Sequence, residues 1–466
     1  MSTTIKSNIK TINPTTGKEE KVYPVMTAQE IDQILTKADS TFNSWGKTTV
    51  QERSAIIKSV AQAFRARKEE LGALITKEMG KLLKEGIGEV LLCADIFDFY
   101  ADNAAELLAD EKIATPHGEA FISKEPIGTI LSVQPWNFPF YQITRSAAPN
   151  LMAGNTMVLK HASNIPQCAE IMEVIFKECG LPDGVYTNLF VPGASIEAII
   201  ADPRVKGVAF TGSEVAGSSV AEAAGKYIKK TTLELGGSDA FVVLDDADIN
   251  KAIRGAVEGR LWNAGQVCVS PKRLIVDKKL AKAFIEGVVE QVKNAKVGDP
   301  MLDETQLAPL SSERAREDVL KQVNKAVEQG ATLVYGGHKL DRDGWFMEPT
   351  ILTGITKDMD AYSQEIFGPV FMIYEVENEA EAIALANDTP FGLGGSVFTE
   401  NKERGVQVAR QIVTGMVYIN HVTGISPELP FGGTKMSGYG REQAKYGIHE
   451  FVNEKLIRVT DIDKAY

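Results

Sequence analysis

The first third of the chain carries apolar positions at helical spacing. In TAQEIDQILTKADSTFNSW they recur near every 3.6 residues, and Thr27 stands where an N-cap belongs. QERSAIIKSVAQAFRARKEELGALITKEMGK continues with strong helix formers, so residues 27–80 read as helices and 85–109 as another. The texture then changes. EAFISKEPIGTILSVQPW, residues 119–136, reads as two strands with Pro-Ile-Gly between them. NTMVLKH is a strand before a helix starting near Pro166, and GVAFTGS is a strand running into the helix AGSSVAEAAGKYIKK. KTTLELGG and DAFVVLD are strands again. This alternation predicts a doubly wound α/β domain.

The alternation restarts after residue 238, which predicts a second α/β domain. Helices at 248–264 and 277–295 surround the strand RLIV, and ATLVYGG, FMIYEV, GGSVFT and GMVYIN are later strands. The tail HEFVNEKLIRVTDIDKAY reads as an exposed strand. It needs a sheet edge, on this chain or on a second subunit.

A length of 466 residues is too great for one core and calls for two or three domains. The formal net charge of −12 argues against nucleic acid or an anionic membrane as the main partner. Four cysteines without CxxC or a His/Cys cluster make neither a disulfide framework nor a zinc site, and no metal is expected. A reduced, cytoplasmic setting fits them. The N-terminus MSTTIKSNIKTINPTTG lacks the apolar core of a secretory signal, and no apolar run is long enough to span a bilayer.

Several stretches carry candidate chemistry. In SVQPWNFPF, residues 132–140, two prolines bracket Asn137 at a strand end, where its amide can donate into a cleft. In AFTGSEVAG, residues 209–217, Gly212 and Ser213 open a helix whose free N–H groups suit a phosphate. Glu234 in LELGGSDAF ends an apolar strand, where desolvation raises a carboxyl pKa and suits a general base. Cys268 in GQVCVSP sits in a turn between Val267 and Val269, where local N–H dipoles would lower the thiol pKa. QEIFGPV places Glu365 ahead of Phe367, and ELPFGGTKMSGYGRE is a glycine-rich loop with a basic interruption. Each motif alone also fits a plain turn, a capping carboxylate or a buried cysteine.

As an ordered set they do not. PWNFP, FTGSxxxG, ELGG, GQxC, EIFGP and PFGGxKxSGxGRE resemble the NAD(P)-dependent aldehyde dehydrogenase superfamily along essentially the whole chain. The resemblance implies an α/β fold of the aldehyde dehydrogenase type in three parts. These are a Rossmann-like cofactor domain (1–111 and 130–237), an α/β catalytic domain (238–443) and a small β oligomerisation element (112–129 and 444–466). It implies that Cys268 is the nucleophile, passing through a thiohemiacetal and a thioester. Asn137 and the nucleophile's own N–H would hold the oxyanion, and Glu234 would be the base for thioester hydrolysis. Lys160 would hold the adenosine ribose. Trp136, Gly212, Ser213, Glu365 and Phe367 fall on cofactor-contact positions. A homodimer or homotetramer is implied.

Two departures sharpen the expectation. In KHASN, residues 160–164, Ser163 occupies the position where NAD-preferring members usually carry a glutamate. A neutral hydroxyl accepts a 2′-phosphate that a carboxylate would repel. NADP⁺ is therefore the expected cofactor, with NAD⁺ possible. If Ser163 merely caps the next helix, both would serve. Arg145, eight residues after Asn137, can pair with a carboxylate, and Ser426 can add a second contact. Together with NHVTGISPELPFGG, these residues are similar to the branch that oxidises the ω-carboxy aldehyde succinate semialdehyde. A structural salt bridge is the alternative for Arg145, and uncharged aliphatic aldehydes are the alternative substrates. A CoA-acylating enzyme is disfavoured by the presence of Glu234. A Cys-His hydrolase is disfavoured because none of His117, His161, His338, His421 and His449 has a catalytic setting. Ser270 stands two positions after Cys268, so an oxidised Cys268 has no near-neighbour thiol.

Overall fold

The computed structural model describes residues 8–116 and 118–463. The first seven residues of the polar N-terminus, His117 and the last three residues of the tail lie outside it.

Five parallel strands form one sheet: Thr129–Gln134, Thr156–His161, Tyr186–Asn188, Val205–Thr211 and Lys230–Glu234. The first of them in sequence lies at the centre, flanked by Thr156–His161 on one side and Val205–Thr211 on the other. Strand order reverses at that flank, and a doubly wound sheet opens its ligand crevice beyond the carboxyl ends of such strands. The short strand Gly438–Tyr439 returns from far along the chain and closes the edge antiparallel to Lys230–Glu234.

The residues Leu235 to Ser238 lead from Glu234 into Asp239–Val243, a central strand of a seven-stranded sheet. Pro271–Asp277, Val370–Val376 and Thr350–Thr353 lie to one side of it, and Gly395–Phe398 and Tyr418–Ile419 to the other, all parallel. Thr332–Tyr335 caps one edge antiparallel. The chain runs directly from the end of one sheet into the start of the other. The carboxyl ends of the first sheet's strands therefore meet the amino ends of the second's.

The tail strand Val452–Val459 pairs antiparallel with Glu119–Pro126 over its whole length, and that strand pairs with Glu111–Ile113. The tail thus finds its sheet edge on its own chain. Among the described residues no helix is long and apolar enough to cross a membrane.

The predicted helices are present, and Thr27 closes a capping box with Glu30. Two ends differ. The helix expected through residue 264 stops at Leu261, and Asn263, Ala264 and Gly265 turn left-handed at φ 48°, 53° and 73°. Tertiary contacts override local propensity here. The Glu85 carboxylate takes the Asn263 N–H at 3.2 Å, and Gly265 lies so close to the Gly368 carbonyl that a Cβ has no room. The helix after GVAFTGS stops at Lys226, and Ile228 also turns left-handed. An N-terminal hairpin, Ile9–Asn13 with Lys18–Tyr23, was not foreshadowed by any apolar alternation.

Candidate active site

A cavity of ≈ 280 Å³ opens where the two sheets meet. Pro135, Trp136 and Asn137 enter it from beyond the central strand of the first sheet, and Thr211, Gly212 and Ser213 from the end of the adjacent strand and just past it. Gly236, Cys268, Glu365 and Phe367 approach from the segments that lead into the second sheet. The cavity lies at the switch point of the first sheet.

Cys268 is half-buried, and its neighbours Val267 and Val269 are buried. The expected lowering of its pKa is corrected by the structure. Burial pushes the thiol up to about 12, against the opposing charges of Arg145 and Lys272. Desolvation outweighs both cations. The loop that carries Cys268 is stitched to the Glu365 segment by Arg260, which is fully buried. Its guanidinium donates to Gly265 O at 3.2 Å, Ser270 Oγ at 2.7 Å, Ile366 O at 2.7 Å and Val370 O at 2.7 Å.

Asn137 is locked in place. Its Nδ2 donates to Gln266 O at 3.1 Å, its Oδ1 accepts from Gln142 Nε2 at 3.2 Å, and its carbonyl accepts from Asn263 Nδ2 at 2.8 Å. The left-handed turn at Asn263 is what brings that amide to Asn137. One proton on Asn137 Nδ2 remains beyond the bond to Gln266.

Glu234 is buried at the end of its strand, and neither carboxylate oxygen accepts a hydrogen bond. It therefore does not cap the following turn. Burial drives its pKa well above the carboxylate range, with Arg145 opposing and Glu442 reinforcing the shift. A Cβ at Gly432 would stand 2.7 Å from Glu234 Oε1, so the glycine-rich loop packs directly on the carboxylate.

Arg145 is buried in the helix Pro139–Ala153 and is ion-paired with Glu442. Its Nη2 donates to Thr211 Oγ1 at 3.0 Å, and the guanidinium lies 4.6 Å from the Phe431 ring centroid. It reaches the cavity through Thr211 rather than lining it. Ser426 is half-buried, donates to Glu428 and does not line the cavity either.

The residues expected to meet a cofactor fall into two groups. Trp136, Gly212, Ser213, Glu365 and Phe367 share the cavity, with Trp136 edge-on to Phe367 at 5.9 Å. Ser213 N-caps the helix Glu214–Lys226 and lines the cavity, which places the start of that helix at the crevice. Lys160, next to last in the strand Thr156–His161, and Ser163, just beyond that strand, do not line the cavity. Ser163 is exposed and does not cap the helix Pro166–Glu178, whose leading N–H groups go instead to the buried Glu78 carboxylate at 2.9 and 2.8 Å. An anionic dinucleotide fits these donors: a helix start, a cation and a free hydroxyl, with no carboxylate at the position of Ser163.

Sequence reasoning missed Gln142, Thr211, Lys272 and Glu442. Thr211 and Glu442 stood inside quoted motifs. Gln142 and Lys272 lie five residues after Asn137 and four after Cys268, a proximity that could have flagged them.

A half-buried thiol in a cavity at the switch point of a doubly wound sheet, with a buried, unpaired carboxylate at the end of an adjacent strand, points to a class. The aldehyde dehydrogenase family matches residues 1–457, and the chain belongs to it. It is 47% identical over 448 residues to the succinate-semialdehyde dehydrogenase (NADP(+)) of Deinococcus radiodurans, covering 96% of this chain and 94% of that protein. It is 44% identical over 449 residues to a probable enzyme of the same name from Synechocystis, covering 96% and 99%. The solved succinic semialdehyde dehydrogenase of Streptococcus pyogenes, in complex with NADP⁺, superposes with a TM-score of 0.96 at 49% identity, covering 97% of this chain and 100% of that one.

Proposed function

We propose that the chain oxidises succinate semialdehyde to succinate, with NADP⁺ as the preferred and NAD⁺ as the poorer cofactor. The observation that carries this reading is the cavity that joins Cys268 and Asn137 to Gly212, Ser213, Glu365 and Phe367. The names and identities of the relatives support the substrate and the cofactor.

In this reading Cys268, as thiolate, adds to the aldehyde carbon to form a tetrahedral thiohemiacetal. Its oxyanion accepts from the remaining Asn137 Nδ2 proton and the Cys268 N–H. A nicotinamide cofactor held by Trp136, Glu365 and Phe367 would supply the hydride acceptor, so that loss of hydride from the thiohemiacetal carbon would leave a thioester on Cys268. Glu234 then takes a proton from water as the water oxygen adds to the thioester carbon. The C–S bond breaks, and the carboxylic acid leaves. Arg145 supplies positive charge behind Thr211 for the distal carboxylate of the substrate, and Ser426, held off the cavity by Glu428, would have to turn from the Glu428 carboxylate to add a second contact. Lys160 and Ser163 take the adenosine ribose and its 2′-phosphate.

The domain division 1–111 with 130–237, 238–443, and 112–129 with 444–466 belongs to the same proposal. The three larger sheets support it, apart from Gly438–Tyr439, which joins the first sheet. Leu456 and Val459, each 59% exposed on the outer strand of the small sheet, support a homodimer or homotetramer.

The test is the absorbance of reduced cofactor with succinate semialdehyde, with NADP⁺ and NAD⁺ in parallel. Faster turnover with NADP⁺ is expected. Turnover on uncharged aldehydes alone would overturn the substrate, and NAD⁺ leading in kcat/KM would overturn the cofactor preference.

A further inference from the structure

Lys272 is buried in the strand Pro271–Asp277, four residues after Cys268. Its Nζ donates to Val267 O and Cys268 O at 2.8 Å each, and pairs with Glu365 Oε1 at 3.0 Å. A lysine has three protons to donate, and three oxygens are present to accept them. The same Glu365 oxygen accepts from Gly237 N–H at 3.1 Å, which ties the carboxylate to the turn between the sheets. One cation therefore joins the peptide of the nucleophile to a carboxylate on the cofactor side of the cavity.

Burying an ammonium is costly, and an apolar side chain would fill the same space without that cost. The charge is better explained by what it faces. The charged groups that act on Cys268 are Arg145 from the helix Pro139–Ala153, Lys272, Glu365 and Asp239. Glu365 and Asp239 would each oppose a thiolate, and Lys272 is the cation that faces both.

We infer that Lys272 is a positioning residue of the reaction. It holds the Cys268 peptide and the Glu365 carboxylate in one register, and it offsets the two carboxylates that would otherwise disfavour the thiolate. The inference rests on the proposed roles of Cys268 as nucleophile and Glu365 as cofactor contact.

The test compares Lys272→Met, Lys272→Arg, Glu365→Gln and the double variant Lys272→Met/Glu365→Gln. The first readout is the rate of iodoacetamide alkylation of Cys268 against pH, without cofactor, with the site mapped by mass spectrometry. Lys272→Met should shift the profile to higher pH, read as an about tenfold or greater slowing of alkylation at each fixed pH below the inflection. Lys272→Arg should keep the wild-type profile. The second readout is steady-state kinetics. Lys272→Met should raise the cofactor KM and lower kcat/KM about tenfold or more, and the double variant should lose less than the product of its single losses. If Lys272→Met fails to fold with Glu365 left unpaired, the double variant is compared with Glu365→Gln and should still show the alkaline shift. A coincident alkylation profile, or kinetic losses that simply multiply, overturns the inference. Cys268→Ala separates the underlying reading: activity persisting in that variant would refute the nucleophile itself rather than the role of Lys272.

Discussion

The guanidinium of Arg145 is ion-paired with the carboxylate of Glu442, and their side chains are 1% and 6% exposed. Beside them lies Glu234, whose charge also acts on Arg145. One buried cation thus faces two buried carboxylates. Removing it leaves Glu442 without its partner, so Arg145→Met should destabilise the fold by about 3–5 kcal/mol. Arg145→Met/Glu442→Gln, which removes both charges, should recover most of that loss in denaturant melts. The substrate role separates from the structural one in kinetics. Both variants should raise KM for succinate semialdehyde and leave KM for an uncharged aldehyde nearly unchanged. A succinate semialdehyde KM restored along with stability would make the pair purely structural.

Glu234 gives a pH dependence with a definite sign. Burial holds its carboxyl well above the ordinary range, so the folded protein favours the neutral acid. The base form grows as pH rises. Thioester hydrolysis should therefore climb with pH through an inflection above the usual glutamate value of about 4.3. The stability term from this group has the opposite slope. It is fully present below the unfolded pKa and is lost as pH rises through the folded one. Glu234→Gln should lower kcat about 10²–10⁴-fold and leave a burst of reduced cofactor of about one equivalent per site in stopped flow. A kcat that falls without a burst would place the loss before hydride transfer.

The alternation of strands and helices was legible because strands such as Ile130–Leu131 and Phe241–Val243 are buried on both faces and read as apolar runs. Asn137, Glu234 and Cys268 stood out only as members of an ordered set of motifs, since each alone also fitted a plain turn, a capping carboxylate or a buried cysteine. The left-handed turn at Asn263 was not, because it is imposed by Glu85 and Gly368, distant in sequence. The thiol pKa failed for a related reason. Local dipoles can be guessed from a turn, but desolvation depends on segments that fold over it. The pairing of Arg145 with Glu442 joins positions almost 300 residues apart, and no spacing rule announces it.

The small sheet ends on an unprotected strand. Leu456 and Val459 are exposed on it, and an edge strand with open backbone groups and exposed apolar side chains can take a second copy. Leu456→Glu should shift the protein toward monomer in light scattering, with little change in the far-ultraviolet spectrum. An unchanged mass would direct attention to another surface.

Peroxide should inactivate the enzyme without forming a disulfide at Cys268. Ser270, the nearest position where a protective thiol could stand, instead accepts from Arg260 and donates to Gly259 O at 2.8 Å. Cys93 and Cys168 are buried, and Cys179 lies at the far end of the helix Pro166–Glu178. Sulfenic acid at Cys268 therefore proceeds to higher oxides. Inactivation should quicken with rising pH, because burial raises the thiol pKa and the thiolate is the reactive form. Peptide mapping under non-reducing conditions checks this, and a Cys268 disulfide with any of the other three would refute it.

Cofactor choice turns on Ser163. Its side chain is exposed, and the helix after it is capped by Glu78 instead, so the hydroxyl has no competing structural duty there. Three residues earlier, Lys160 is partly buried, and desolvation lowers its pKa from the ordinary lysine value, yet among the described residues no carboxylate pairs with it. A 2′-phosphate would meet a cation and a neutral donor. Ser163→Ala removes one hydrogen bond to a charged group, worth about 1.5–3 kcal/mol, and should lower kcat/KM for NADP⁺ about ten- to a hundredfold. Ser163→Glu adds a like charge beside the phosphate and should cost NADP⁺ more than the alanine does, while kcat/KM for NAD⁺ holds or rises as the carboxylate accepts from the free 2′-hydroxyl. The ratio of the two kcat/KM values is the quantity to measure. A ratio that Ser163→Glu leaves unchanged would move the selection of cofactor away from this loop.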